Sequence, residues 1–256
     1  MAIKFFLEDI DNIDHKALLT KRLIKTLPYN LRILITKIEY WGYEVRIVGG
    51  AVRDFLLGKA PRDIDLATTA RPEEILYIIE KDAKREENIT SAYGIRHGTI
   101  VVNFDNEEAY EITSLGYNIK ESGNRLEISY GNPTWGEDAK RRDFTMNALY
   151  VDMDGKLHDY LGGIDDLKKE QISFIGNYEE RIQENKILAF RFFKILGKFE
   201  NPKYDPKIID YILNNKNAIL QEVKDLSKIW MVQDIMSQPY YFENCDEILK
   251  EFMGGI

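Results

Sequence analysis

Arg62-Asp63-Ile64-Asp65-Leu66 sets two carboxylates two residues apart. On a β-strand both would leave the same face, because successive side chains alternate. Such a pair makes a hard, oxygen-only site that can hold one or two Mg²⁺ ions beside a triphosphate, easing attack by a hydroxyl and stabilising the pyrophosphate that leaves. The same spacing also serves turns, helix caps and solvated strand faces, so its meaning depends on its surroundings. Fourteen residues before Asp63, Gly49-Gly50 stands between an expected strand and an expected helix, where glycine lets backbone N–H groups face a phosphate. Arg53, one turn into that helix, can reach the same anion, or can be a solvated neighbour of a tight turn. A third carboxylate, Glu111, falls on an expected strand and by itself reads as an exposed strand position.

The elements that must position these groups follow from hydrophobic period and turn chemistry. Residues 16 to 42 carry apolar residues at helical spacing, divided at Pro28, and predict two N-terminal helices. Tyr43 to Val48 alternates as a strand, ends at Gly49-Gly50, and leads into a short helix over Ala51 to Leu57 that Gly58 stops. Ile64 to Ala67 is a second strand. Ile100 to Phe104 and Tyr110 to Thr113 predict a hairpin about Asp105-Asn106. From Tyr117 to Glu137 the sequence is polar and interrupted by Gly123, Gly131, Pro133 and Gly136, which predicts a mobile loop with little regular structure. Strand character returns at Ala148 to Val151 and Leu157 to Tyr160, and beyond Glu179 the pattern is helical. The expected organisation is an α+β domain over residues 1–178, then a helical region over 179–256.

The 256 residues carry a formal net charge of −8, which argues against a general polyanion-binding surface and leaves any RNA contact to a local basic patch. A single cysteine, Cys245, excludes an intramolecular disulfide, and no Cys/His cluster has zinc-ligand spacing. No stretch approaches the ~18 apolar residues of a membrane span. Together these predict a cytoplasmic protein without a membrane partner.

Several ordered runs resemble one family. Gly49-Gly50-Ala51-Val52-Arg53-Asp54-Phe55-Leu56-Leu57-Gly58 followed by Asp63-Ile64-Asp65 resembles the first motif of the class II CCA-adding enzymes and bacterial poly(A) polymerases. Tyr93-Gly94-Ile95-Arg96-His97-Gly98-Thr99 and Glu111-Ile112-Thr113-Ser114-Leu115 resemble its next strands. Arg141-Arg142-Asp143-Phe144-Thr145-Met146-Asn147-Ala148-Leu149 resembles its nucleotide-sugar motif, and the run from His158 to Leu167 resembles the connector that follows. The resemblance implies a polymerase-beta-like nucleotidyltransferase head, a small mixed β-sheet flanked by helices, followed by an all-helical neck. It implies Asp63 and Asp65 as metal ligands for Mg²⁺, or Mn²⁺, with Glu111 as a third catalytic carboxylate. Gly49, Gly50 and Arg53 would meet the triphosphate, and Arg142, Asp143 and Asn147 phosphate and ribose. CTP and ATP would be the nucleotides, and an RNA 3′ end, most naturally that of a tRNA, the acceptor.

The run Glu184-Asn185-Lys186-Ile187-Leu188-Ala189-Phe190-Arg191 departs from the family's Glu-Asp-x-x-Arg-x-x-Arg pattern, in which the Asp and the first Arg read the base. Asn185 can still donate and accept, whereas Leu188 can do neither. Arg191, Lys194 and Lys198 share one helix face opposite an apolar one, a candidate phosphate-contacting stripe or a solvated surface. Gly116 stands where the family usually carries an Arg. The departures leave three readings open: CCA addition or repair, A-only or poly(A) addition with relaxed base choice, and a nucleotide-binding module without turnover. Because family members generally continue into body and tail domains, the expectation is either that RNA is held weakly or that a second copy or another protein supplies further RNA-binding surface.

Overall fold

The computed structural model describes residues 20–61, 63–82, 89–93, 98–104, 108–120, 126–129, 132–223 and 225–254. Two compact units emerge, one comprising residues 1–142 and 147–163, the other 143–146 and 164–256. The change therefore falls after Gly163, where the sequence pattern places it near 178. Phe174 stacks on Phe192, and Ile172 N–H donates to the Lys203 carbonyl, so residues 164–178 join the second unit; Phe144 against Phe174 at 4.7 Å between ring centroids, Ile175 N–H to the Asp143 carbonyl and Thr145 Oγ1 to Asp166 bring residues 143–146 with them.

The first unit is built on a seven-stranded sheet in the order β3-β4-β5-β2-β1-β8-β9. Its strands are β1 (Val45–Val48), β2 (Asp65–Thr68), β3 (Ile89–Tyr93), β4 (Thr99–Phe104), β5 (Ala109–Ser114), β8 (Leu149–Asp152) and β9 (Leu157–Asp159). Only β2 and β5 run parallel; the other neighbours are antiparallel. In β4 and β5 the alternation seen in the sequence is realised: Ile100, Val102, Phe104, Tyr110 and Ile112 turn inward while Glu111 stays exposed. The expected hairpin is this β4–β5 pair; its turn at 105–107 lies outside the described residues, as do residues 94–97 of the Tyr93–Thr99 motif.

Helix α1 (Tyr29–Tyr40) starts after Pro28, as expected, and buries Leu31, Leu34, Ile35 and Ile38 at helical spacing. Helices α2 (Gly50–Leu56) and α3 (Pro72–Asp82) follow β1 and β2. The stretch read as a loop from Tyr117 to Glu137 is different. It holds a separate two-stranded sheet of β6 (Tyr117–Lys120) and β7 (Leu126–Ser129), then helix α4 (Trp135–Lys140). Its polar surface hides a reciprocal N-cap: Thr134 Oγ1 accepts from Glu137 N–H while the Glu137 carboxylate accepts from Thr134 N–H.

The second unit is helical: α5 (Gly163–Lys168), α6 (Tyr178–Glu184), α7 (Ile187–Leu196), α8 (Lys207–Asn214), α9 (Lys216–Glu222), α10 (Asp225–Met236), α11 (Tyr241–Asn244) and α12 (Asp246–Met253). Its core is aromatic. Phe192 stacks on Phe174, and Phe190 and Phe193 both meet Phe252. Among the described residues no helix is long and apolar enough to cross a membrane.

Candidate active site

Strand register sets the carboxylates. Asp65 opens β2 opposite Val48, the last residue of β1 before the glycine turn. Leu66 pairs with Ile112 on the parallel neighbour, so Asp65 and Glu111, each one residue earlier, leave the sheet on the same face. Asp63, Asp65 and Glu111 line one open cleft of 530 Å³, with Pro61, Glu108 and Tyr110. Asp63 and Glu111 are exposed and Asp65 is half-buried. The donors are all carboxylate oxygens, a set suited to a hard divalent cation. Among the described residues no three acidic, His or Cys side chains are gathered tightly enough to form a metal cage as they stand. The structure thus collects the three expected carboxylates in one cleft without closing them around a point.

Gly49 adopts φ 74° and ψ −133°, a conformation that a residue with a side chain rarely takes, and its N–H donates to the Leu149 carbonyl. The chain can therefore reverse from β1 straight into α2, whose first-turn N–H groups have no partner within the helix. Arg53 lies beneath this turn, only 4% exposed. Its Nη1 donates to Asn147 Oδ1, and Nε and Nη2 meet Asp54 Oδ1 at 2.8 and 2.7 Å. Arg53 is therefore neither a solvated neighbour nor an outward cation; it ties the turn to the short 3₁₀ segment Thr145–Asn147.

Asp138 was not singled out by the sequence, yet it organises the arginines that were. Fully buried on α4, it accepts from Arg141 Nε at 2.7 Å, Arg142 Nη2 at 2.9 Å, the Tyr150 hydroxyl at 2.8 Å and Gly116 N–H at 3.3 Å. Burial by itself would raise this carboxyl, but Arg142 and Arg141 hold it below the ordinary carboxylate range. Burial likewise disfavours charge on Arg142, and Asp138 and Tyr150 more than reverse that, keeping the guanidinium protonated. The signal was present in the spacing: an acid three and four residues before Arg141-Arg142, just after a capping box, places all three on one helix face.

Within the second unit, Asp143 accepts from Arg191 Nη1 at 3.1 Å and caps Phe144 N–H. Arg191 remains well exposed, at 58% of its side chain, while Lys194 pairs with Asp234. The expected basic stripe is therefore partly neutralised. Asn185 ends α6 and its Oδ1 accepts from Ile187 N–H, a local cap. Leu188 is 3% exposed and belongs to the core of α7, so this position presents no base-reading surface.

The family model for the poly A polymerase head domain matches residues 45–173. Similar curated proteins include the mitochondrial CCA tRNA nucleotidyltransferase 1 of Danio rerio, 37% identical over 179 residues, covering 69% of this chain and 40% of that protein. The CCA-adding enzyme of Oceanobacillus iheyensis is 40% identical over 168 residues, covering 64% and 40%. The crystal structure of the Bacillus stearothermophilus CCA-adding enzyme in complex with CTP superposes with a TM-score of 0.68 at 26% identity, covering 90% of this chain and 53% of that one. The chain thus spans about 40% of the length of the curated relatives it matches. With the glycine turn, the paired aspartates and Glu111 in family order on the expected sheet, the chain belongs to the poly A polymerase head-domain family.

Proposed function

We propose that this chain transfers nucleotides from CTP or ATP to an RNA 3′ end, that of a tRNA in CCA addition or repair. The observation that carries this reading is the register that sets Asp65 beside the glycine turn and Glu111 on the adjacent parallel strand, so that one cleft holds Asp63, Asp65 and Glu111. The names of the relatives, and the CTP bound in the similar Bacillus stearothermophilus CCA-adding enzyme, support the same reading.

In this reading Asp63 and Asp65 would hold Mg²⁺, which would supply charge neutralisation of the triphosphate and acidify the attacking 3′-hydroxyl. Glu111 orients that hydroxyl from the neighbouring strand. The Gly49-Gly50 backbone receives the triphosphate, its shape held from below by Arg53 and Asn147. Arg142, kept protonated by Asp138, faces nucleotide phosphate, and Asp143 hydrogen-bonds a ribose hydroxyl. In the helical unit, Arg191, Lys194 and Asn185 are the proposed nucleotide-binding groups, Arg191 being the more exposed of the two cations.

A second reading, A-only or poly(A) addition with relaxed base choice, is favoured by one observation: Leu188, which stands at the base-reading Arg position, is inside the core. One experiment separates the readings. The full chain is incubated with Mg²⁺, each labelled triphosphate in turn and a tRNA ending before CCA. Ordered addition of two C and one A supports the first reading, and A-only or unordered incorporation supports the second. No incorporation under any of these conditions overturns both.

A further inference from the structure

Tyr160 is 41% exposed, while the aromatic residues behind it, Tyr150 and Trp135, are buried. Its ring is fixed on every inner side. Arg46 Nη1 donates to the phenol oxygen at 2.8 Å, Tyr150 meets the ring edge-on at 5.9 Å, and His158 lies nearly parallel to it, 11° between planes with centroids 6.3 Å apart. His158 is itself held, 2.7 Å from Asp152. Arg46, only 8% exposed, is stacked 3.9 Å over Trp135, and Glu44 bonds both Arg46 Nη2 and the Trp135 indole. A buried cation thus spends its Nη groups on holding one exposed tyrosine and one surface glutamate, leaving its Nε without a partner.

Two features point outward. Because Tyr160 accepts from Arg46, its own hydroxyl proton remains available to donate. Two residues on, Gly162 turns the chain at φ 75° with nothing within 4 Å of where a Cβ would stand, so the backbone that follows the tyrosine is uncrowded. The position on the sheet matters as well. His158 pairs with Tyr150, Tyr150 with Val48 and Val48 with Asp65, so the ring stack begins in the same cross-strand row as the metal-site carboxylate. Three strand spacings put that row about 14 Å long, which is the span of about four stacked nucleotides at ~3.4 Å each.

We infer that Tyr160 is a stacking platform for an RNA base within the last few nucleotides of the acceptor strand, with its hydroxyl donating to a ribose or phosphate oxygen of the same nucleotide. An aromatic face takes any base, since every base has a π-face, and a ring already immobilised loses little conformational entropy on binding. An overall charge of −8 makes such non-ionic contact more valuable to this chain than to a basic RNA binder. The inference rests on the proposed RNA substrate.

The test uses the full chain and a short single-stranded RNA carrying 2-aminopurine at each of its last four positions in turn. One position should be quenched on binding to the wild type. In Tyr160→Ala that quench is expected to vanish, with RNA affinity falling about tenfold. Tyr160→Phe should keep the quench and lose no more than about threefold, the worth of one hydrogen bond. Tyr160→Trp, which keeps an aromatic face, should restore the quench, and melting curves for all three variants show whether loss of fold explains the Ala result. An unchanged quench in Tyr160→Ala overturns the inference, as does a rise in KM for nucleoside triphosphate with RNA affinity unaltered, which would seat the incoming base there instead. The binding arm is independent of turnover: quench without nucleotide transfer would leave the platform standing while the proposed reaction fails.

Discussion

The Arg53 guanidinium donates through Nη1 to Asn147 Oδ1, joining residues 94 positions apart. One lies in the helix that follows the glycine turn, the other at the end of the 3₁₀ segment before β8. The link fixes the back of the turn, and in the proposed function both residues would act on phosphate through that backbone geometry. Asn147→Ala should leave a buried guanidinium donor unsatisfied and cost about 1–3 kcal/mol of stability, together with a raised KM for triphosphate. Denaturant titration alongside steady-state kinetics checks this. A raised KM with unchanged stability would mean direct contact with the nucleotide instead.

Removing a carboxylate from the cleft should act on chemistry rather than on folding. Asp63→Ala and Asp65→Ala are each expected to lower metal-dependent incorporation about a thousandfold or more, because the metal contributes several kcal/mol to the transition state. Asp63 is exposed, so its variant should melt within about 2 °C of the wild type. Glu111→Ala should be severe but incomplete. Single-turnover incorporation and calorimetry on the same preparations check all three, and near-wild-type turnover in either aspartate variant would remove the site.

Asp138 makes stability depend on pH in one direction. Its folded-state carboxyl is held below the ordinary range, so its contribution is fully present above about pH 4–5 and is lost as pH falls toward the folded value. Asp138→Asn leaves Arg141 and Arg142 without their shared anion and should cost about 3–5 kcal/mol at pH 7. The gap between wild type and variant should narrow as pH drops below about 4. Urea titrations at pH 7 and pH 3.5 measure both; a gap that is constant with pH would show that the carboxylate charge is not what the site requires.

Leu188 decides between two outcomes for base choice. Had it faced solvent, Leu188→Arg would be expected to restore a base-reading guanidinium. At 3% exposure it should instead bury an unpaired charge and destabilise the helical unit by more than about 4 kcal/mol. The wild type should discriminate CTP and ATP from UTP and GTP less than its relatives do, each missing base contact being worth about 1–3 kcal/mol. Single-nucleotide incorporation with four triphosphates, with a melting curve for the variant, reads both effects. Strict selectivity in the wild type would move the reading role to Arg191 or Asn185.

The course of the chain through the site was legible because its signals are local. A 2.0 or 3.6 period, a glycine pair, a proline at a helix start and two carboxylates two residues apart each act within a few residues. They located β1, α2, β2, β4, β5, β8 and β9 to within one or two positions. The segment from Tyr117 to Glu137 was misread because a two-stranded ribbon and a six-residue helix are too short to show a period, and the capping box Thr134-Glu137 looks polar and loop-like. The unit boundary was placed late because residues 164–178 join the helical unit through Phe174 against Phe192 and through the Ile172–Lys203 backbone bond, contacts that no local pattern announces.

Residue identity and order by themselves placed Asp65 and Glu111 on strands and Gly49-Gly50 at a turn between a strand and a helix, since such local patterns are written in type and spacing. Only tertiary structure decided what each cation does. Arg53 turned inward to Asn147, Arg142 was claimed by a buried Asp138, Arg191 was held by Asp143, and Leu188 went to the core. The reason is physical: a charged group's role depends on which counter-charges lie within a few ångströms and how much water remains, and neither is set by neighbours in sequence.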